Sequence, residues 1–264
     1  MYGTVKTHKF DEINDITVDN LKSRPIIDQT GTYTYKAAKI IAKYLNPLTK
    51  NDLNITDTQS FPDLISNLPP LNKDEEDVSY DVESLFTNIP IKETIDYIIK
   101  KIYDDKEIPI ICSKLIFKRL LLKLTTESTF IFNSQHYKQT DGCAMGGPLS
   151  VVFSSIWMIK MEQDIVIPTK PKFYRRYVDD IINRRSTTTI DSLFNNLNNY
   201  HPNIKLTIEV QPKKFLDTQL SLKEDGTYKP LYIEKQTNSL YNGALKYLNA
   251  TKETTSMETF IALK

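Results

Sequence analysis

The strongest chemical signal in this sequence is a pair of adjacent acids set in an aromatic and apolar stretch. In Phe173-Tyr174-Arg175-Arg176-Tyr177-Val178-Asp179-Asp180-Ile181-Ile182, aromatic and β-branched residues flank both acids. That pattern predicts a strand, a tight turn and a second strand. The turn would carry two carboxylates to one point at the edge of a sheet. Neighbouring carboxylates repel each other, so such a site is comfortable with a cation between or beside them. Aspartate is also an ordinary turn residue, and a solvated tip is the plain alternative. The company the pair keeps decides between the two.

A third acid ends another predicted strand, Val78-Ser79-Tyr80-Asp81-Val82. Asn88-Ile89-Pro90 then opens a predicted helix with Ile91, Ile95, Ile98 and Ile102 on one apolar stripe. A second helix after Ser113 carries Leu115, Ile116, Leu120 and Leu124. Phe130-Ile131-Phe132 and Tyr137-Lys138-Gln139 flank Asn133-Ser134 as a hairpin. Pro148 opens a helix to about Asp164, and another lies near residues 188–199. Residues 204–210 alternate apolar and polar side chains, and two strand-like runs follow at 215–222 and 231–235. Upstream, Tyr2 to Lys9 is extended, an acidic loop runs to about Asn20, and Ser23 to Asp28 reads as a short strand. Thr34 caps a helix that Asn46-Pro47 stops. Taken coarsely, the middle follows the β-α-β-β-α-β plan of a ferredoxin-like antiparallel sheet backed by helices, an α+β fold. In that plan Asp81 meets Asp179 and Asp180. Three acids at one sheet edge suit two divalent ions roughly 3.5–4 Å apart, clamping the attacking and leaving oxygens of a displacement at phosphorus.

Composition sets loose bounds. With 264 residues, 40% apolar and 25% charged, the chain suits one large domain or two small ones. The net charge of +1 counts mildly against a nucleic-acid binder, leaving local clusters such as Arg175-Arg176, Arg184-Arg185 and Lys213-Lys214. Cys112 and Cys143 are far apart and lack histidine partners at zinc spacing, which argues against a metal finger or a disulfide framework and for a reduced, intracellular setting. No apolar run reaches membrane-spanning length, and no signal-peptide pattern opens the chain.

Tyr177-Val178-Asp179-Asp180 resembles the YxDD box, motif C, of reverse transcriptases. The run from Ser79 to Pro90, reading SYDVESLFTNIP, resembles motif A in the form found in Penelope-like retroelements, which are related to telomerase. Gln139-Thr140-Asp141-Gly142-Cys143-Ala144-Met145-Gly146-Gly147-Pro148-Leu149-Ser150 is similar to their motif B. Tyr2-Gly3, Lys6-Thr7-His8-Lys9 and Arg24-Pro25-Ile26 resemble fingers segments, and Phe215-Leu216-Asp217-Thr218 the motif that supports the primer. The matches run in order along nearly the whole chain.

The resemblance implies the fingers and palm of a right-hand polymerase: fingers over 1–72, palm over 73–111, a fingers/palm connection over 112–140, palm again over 141–222, and the start of a thumb over 223–264. It implies an RNA-directed DNA polymerase that extends a DNA primer on an RNA template with deoxynucleoside triphosphates. Asp81, Asp179 and Asp180 would be catalytic and would hold two Mg²⁺ ions (or Mn²⁺), helped by the backbone of Val82. Arg24, Phe86, Met145, Gly146 and Lys205 would serve the nucleotide. Arg24 would grip the triphosphate, Phe86 would exclude a ribose 2′-hydroxyl, and Lys205 would protonate pyrophosphate. Tyr177, Gly147, Pro148, Phe215 and Leu216 would contact primer and template. No membrane partner is implied, and the retroelement resemblance points to the nucleus. Met145 stands where many reverse transcriptases have Gln, and Gly147 where these elements often have Ser. The chain starts inside a fingers motif and ends where the thumb begins, so a thumb and an endonuclease domain are expected to be largely missing. A silent, truncated remnant that at most binds nucleic acid is the rival. Telomerase itself and an RNA-templated RNA polymerase are the relatives in chemistry, the latter disfavoured by Phe86.

Overall fold

The computed structural model describes residues 2–5, 23–27, 29–126, 129–132, 135–139, 142–188 and 191–233. The chain forms two units, Met1–Ile27 with Glu234–Lys264, and Asp28–Ile233. In the first, β1 (Tyr2–Val5) and β2 (Ser23–Ile26) pair antiparallel, with Thr4 opposite Arg24. The residue before a proline is pushed to extended backbone, which suits Arg24 to a strand. The predicted features at residues 6–9, in the acidic loop, at the 133–134 turn and beyond 233 lie outside the described residues.

The second unit opens with α1 (Tyr33–Leu45), which tightens into a 3₁₀ turn at Asn46–Thr49 where Pro47 interrupts the α-helical ladder. Thr32, not Thr34, stands at its N-cap, because Tyr33 is already helical; the Thr32 hydroxyl donates to the Gln29 carbonyl at 2.8 Å. Next come α2 (Phe61–Ser66), β3 (Glu75–Val82), the short α3 (Leu85–Asn88) and α4 (Ile91–Ile99). A π-helical turn at Lys100–Asp104 extends α4 and keeps Ile102 buried. Then follow α5 (Lys114–Thr126), the hairpin β4 (Thr129–Phe132) and β5 (Gln135–Lys138), and α6 (Ser150–Met161), which starts two residues past Pro148 and runs on through a π turn at Glu162–Val166 into α7 (Ile167–Thr169). The last elements are β6 (Phe173–Tyr177), β7 (Asp180–Ser186), α8 (Ser192–Asn199), β8 (Leu206–Val210), β9 (Lys214–Phe215), β10 (Thr218–Leu222) and β11 (Tyr228–Tyr232).

Four of these strands form the central antiparallel sheet in the order β6-β7-β3-β8. A helical segment links β3 to β6, a hairpin joins β6 to β7, and α8 links β7 to β8. This is the ferredoxin-like plan that the sequence predicts. Side chains alternate along the pleat, so each face has its own set. Val78, Tyr80 and Val82 of β3, with Ile181 of β7, share a core with Ile91, Ile95 and Ile98 of α4, Phe153, Ile156 and Trp157 of α6, and Leu193 and Leu197 of α8. Each such burial contributes about 1.5–3 kcal/mol, so this helical side dominates the stability. The opposite face has a smaller cluster of Ile55, Phe61, Ile65, Phe173, Ile182, Phe215 and Leu220.

Two predicted apolar faces differ from those observed. On α5 the buried residues are Phe117, Leu121, Leu124 and Thr125, whereas Leu115 and Ile116 are each 60% exposed. The helix is rotated so that Phe117 meets the rings of Tyr44 and Tyr103. On β8 only Leu206 is buried, because this is an edge strand and the helical layer does not reach Ile208 and Val210.

The sheet also buries charge. Arg184 lies directly opposite Asp77 and forks onto its carboxylate at 2.9 and 3.2 Å, donating as well to the Pro69 carbonyl at 2.7 Å. Both side chains are nearly inaccessible. Removing one member of such a pair leaves an uncompensated buried charge. Arg184→Met is therefore expected to destabilise the protein by about 3–5 kcal/mol, and Asp77→Leu/Arg184→Met to recover most of that loss, measured as urea-unfolding midpoints.

Candidate active site

The ladder between β3 and β7 runs from Glu75 opposite Ser186 to Asp81 opposite Asp180. Directly opposed residues in an antiparallel pair project to the same face. Asp81 and Asp180 therefore share a face with Asp77 and Arg184, on the side away from the larger core. Asp179 is in the turn between β6 and β7, and its carbonyl accepts a hydrogen bond from the Val82 amide at 3.3 Å. Backbone pairing thus holds the three aspartates at one end of the sheet, and all three are half-buried.

The turn itself is strained. Tyr177 pairs with Asp180, leaving Val178 and Asp179 as a two-residue loop. Such loops need positive φ at the first central residue, where glycine is the usual occupant. Val178 has φ 56°, a left-handed conformation that costs a residue with a Cβ about 1–2 kcal/mol. A second hairpin repeats the arrangement: Phe215 pairs with Thr218, and Leu216 has φ 53°.

Among the described residues, no three His, Cys, Asp or Glu side chains converge into a ready-made metal cage. Mg²⁺, however, is held by one or two carboxylates with waters and substrate phosphates completing its shell. Asp81 and Asp180, adjacent on one face, fit that smaller requirement. Val82 has a buried side chain and only its backbone to offer.

A loop ties this end of the sheet to α6. The Cys143 amide donates to the Phe86 carbonyl at 2.7 Å. Gly142 has φ 65°, and a Cβ there would stand 2.3 Å from the Thr87 carbonyl oxygen. So in this loop Gly142, more than Gly146 or Gly147, is the glycine that the fold requires. Gly146 is exposed with φ 99°, and a Cβ on Gly147 would come within 2.8 Å of the Gln29 side-chain oxygen. Met145 and Pro148 are half-buried in the same loop. Cys143 is fully buried and burial pushes its thiol up to about 12, so it stays protonated and takes no part as a nucleophile. Both cysteines are free thiols.

Phe86 is half-buried in α3, just beyond Asp81. Lys205 is exposed immediately before β8; its carbonyl accepts from the Glu83 amide at 2.8 Å, and its ammonium donates to the Asn198 carbonyl at 3.3 Å. It lies at the same sheet end as Asp81. Tyr177, Phe215 and Leu216 come together in the smaller apolar cluster, with the Phe215 ring 4.9 Å from that of Phe61. Gly147 and Pro148 are not in that cluster but at the start of α6. Arg24 lies on β2 in the other unit.

Sequence reasoning took Arg176 only as part of a basic cluster and did not single out Glu162, yet the two lie beneath the turn. Arg176 and Glu162 are both nearly inaccessible and form a two-pronged ion pair at 2.5 and 3.1 Å. The pairing of a helix-end acid with a strand arginine has no short-range signature. Gly142 had one, its place in the glycine-rich run before Pro148.

No family model matches the chain, and no curated protein matches its sequence. Solved structures do share its fold. The apo telomerase of Candida tropicalis truncated from its C-terminal domain superposes with a TM-score of 0.51 at 17% identity, over 76% of this chain and 46% of that one. Another apo telomerase structure from the same organism gives 0.53 at 14% identity, over 78% and 42%. The chain spans less than half the length of these telomerases. What it shares with them is an α+β fold, mixing helices with an antiparallel sheet. Among the described residues, no helix is long and apolar enough to cross a membrane.

Gly142→Ala is expected to force the Thr87 and Gly142 backbones apart and to cost more than about 1 kcal/mol, because φ is positive and there is no room for the methyl group. A lowered unfolding midpoint, with faster amide exchange at Cys143, is the expected result.

Proposed function

We propose that this chain is the fingers-and-palm part of a reverse transcriptase of the Penelope-like type, adding deoxynucleotides to a DNA primer on an RNA template. The observation that carries the reading is the register that sets Asp81 opposite Asp180, with Asp179 in the adjoining turn. The shared polymerase fold supports it. Residues 1–72 and 112–140 are read as fingers and connection, 73–111 and 141–222 as palm, and 223–264 as the approach to a thumb. A nuclear site of action follows from the retroelement reading.

In this reading Asp81, Asp179 and Asp180 supply the carboxylates for two Mg²⁺ ions, with the Val82 carbonyl as a further oxygen. Bound there, the ions would acidify the primer 3′-hydroxyl and neutralise the triphosphate. The 3′-oxygen forms its bond to the α-phosphorus as the bond to the pyrophosphate oxygen breaks. The hydroxyl proton passes to solvent, and Lys205 returns a proton to the departing pyrophosphate after releasing the Asn198 carbonyl. Phe86 crowds the 2′-position of the incoming sugar, and its place is fixed by the bond from Cys143 to its carbonyl. By the resemblance of Arg24-Pro25-Ile26 to a fingers segment, Arg24 is the residue that would grip the triphosphate. The loop at Met145 and Gly146 borders the nucleotide, and Gly147 and Pro148 border the template. Tyr177, Phe215 and Leu216 form an apolar platform for the primer end.

Primer extension on an RNA template with deoxynucleotides and Mg²⁺ tests this directly. Asp179→Asn is expected to lower the rate about 100-fold or more, a loss of about 2.7 kcal/mol of transition-state stabilisation. Extension undiminished in that variant would overturn the site. Nucleic-acid binding without turnover in the unaltered chain would favour a silent remnant.

Phe86→Ala is expected to admit ribonucleotides; an unchanged preference between deoxynucleotides and ribonucleotides would remove Phe86 as the sugar gate.

A further inference from the structure

A chain of buried polar contacts leads from the core to the strained turn. The Arg176 guanidinium uses two nitrogens on Glu162, at 2.5 and 3.1 Å, and its third, Nη1, donates to the Val178 carbonyl at 3.0 Å. Glu162 is held in turn: the Asn51 amide donates to its Oε2 at 2.9 Å and the Tyr174 hydroxyl to its Oε1 at 3.2 Å. The backbone of Arg176 is clamped as well, its amide donating to the Leu53 carbonyl at 2.9 Å and its carbonyl accepting from the Ile55 amide at 2.7 Å. Each of the three guanidinium nitrogens therefore has a partner, and the fork is held where it meets the turn.

We propose that Arg176, anchored by Glu162, is a positioning residue that holds Val178 in its left-handed conformation and so sets where Asp179 and Asp180 present their carboxylates to a divalent cation. The proposal rests on the reading of those aspartates as the metal-binding group. A β-branched residue at φ 56° persists only when its surroundings over-determine it. Contacts on the turn's own carbonyls contribute here, the Val82 amide on that of Asp179 and the Arg176 guanidinium on that of Val178. The first is a single neutral hydrogen bond at 3.3 Å; the second is charge-assisted and comes from a guanidinium that is itself buried. Arg176 lies on the opposite face of β6 from Tyr177, under the turn, so it supports the carboxylates without sharing their face. Lysine cannot substitute, since one ammonium cannot hold both Glu162 oxygens in a fork and still reach the turn carbonyl.

The test is a double-mutant cycle between residues 176 and 178, read as Mn²⁺ affinity of the free protein by electron paramagnetic resonance. Binding of Mn²⁺ to the unaltered chain, lost in Asp179→Asn, first establishes the site without any call on polymerase activity. Arg176→Lys is then expected to weaken Mn²⁺ binding about tenfold, the effect usual for residues that orient metal ligands. In a Val178→Gly background, where positive φ is free of strain, the same change is expected to cost less than about threefold, since neighbouring positions that act together are not additive. If Arg176→Lys does not fold, Glu162→Gln, which removes the anchor and leaves the guanidinium, is measured in both backgrounds with the same expectation. A lower melting temperature with Mn²⁺ affinity unchanged would make the pair purely structural and overturn the proposal, as would equal losses in both backgrounds. Absence of Mn²⁺ binding in the unaltered chain would overturn the metal reading itself, and the positioning role with it. Primer extension measured alongside separates a failed polymerase reading, in which metal binds and couples to residue 176 without turnover, from a failed positioning role.

Discussion

The antiparallel register between β3 and β7 is the constraint on which the rest of the molecule depends. Side chains alternate along a strand, so a slip of one residue would reverse every one of them. Such a slip would turn Val78, Tyr80 and Val82 out of the helix-backed core and bring Asp77, Ser79 and Asp81 into it. The hydrophobic cost of that reversal makes one face dictate the other: the core below fixes the carboxylates above. At the far end of the same ladder, the Asp77–Arg184 pair sits directly opposed and buried. That pair tolerates no slip either, because any shift would separate two charges already removed from water.

Two hairpin turns that carry acids are strained. Val178 and Leu216 both occupy left-handed backbone at the first position of a two-residue hairpin loop, and each is followed by an aspartate. Neither side chain is intrinsically suited to that position. Their presence makes sense only with external support. Around Val178 this comes from Arg176, Glu162 and Asn51; around Leu216 it comes from the cluster containing Phe61 and Phe215 and from the bond of the Ile233 amide to the Asp217 carbonyl. One hairpin is braced by buried charge and the other by apolar packing.

The loop before α6 adds a third fixed point. With Gly142 packed against Thr87 and the Cys143 amide on the Phe86 carbonyl, the segment after β3 is tied to the segment before α6. The spacing between Asp81 and Phe86 is local, but the position of Phe86 depends on a contact made from far along the chain. The Cys143 thiol is sealed in by the same packing, which removes it from chemistry.

Much of this was legible in the residues themselves. Periodicity gave the α4 stripe of Ile91, Ile95, Ile98 and Ile102, and aromatic and β-branched runs around two acids gave the β6–β7 hairpin. These are local signals, carried by side-chain spacing that any window of sequence displays. The order of the four strands followed from the succession of elements, because a β-α-β-β-α-β chain has few ways to close an antiparallel sheet. Other features needed the folded chain. Leu115 and Ile116 read as core yet are exposed, since the rotation of α5 is chosen by what Phe117 meets. Arg176 and Arg184 read as surface charge yet are buried, because their acids come from a distant helix and a neighbouring strand. The left-handed backbone of Val178 contradicts its own residue type. Sequence by itself singled out Asp81, Asp179 and Asp180 as candidates and determined which strands must lie side by side. Tertiary structure alone decided which charges are buried, which glycine is required and what holds the turn, because each is set by partners that no local spacing brings together.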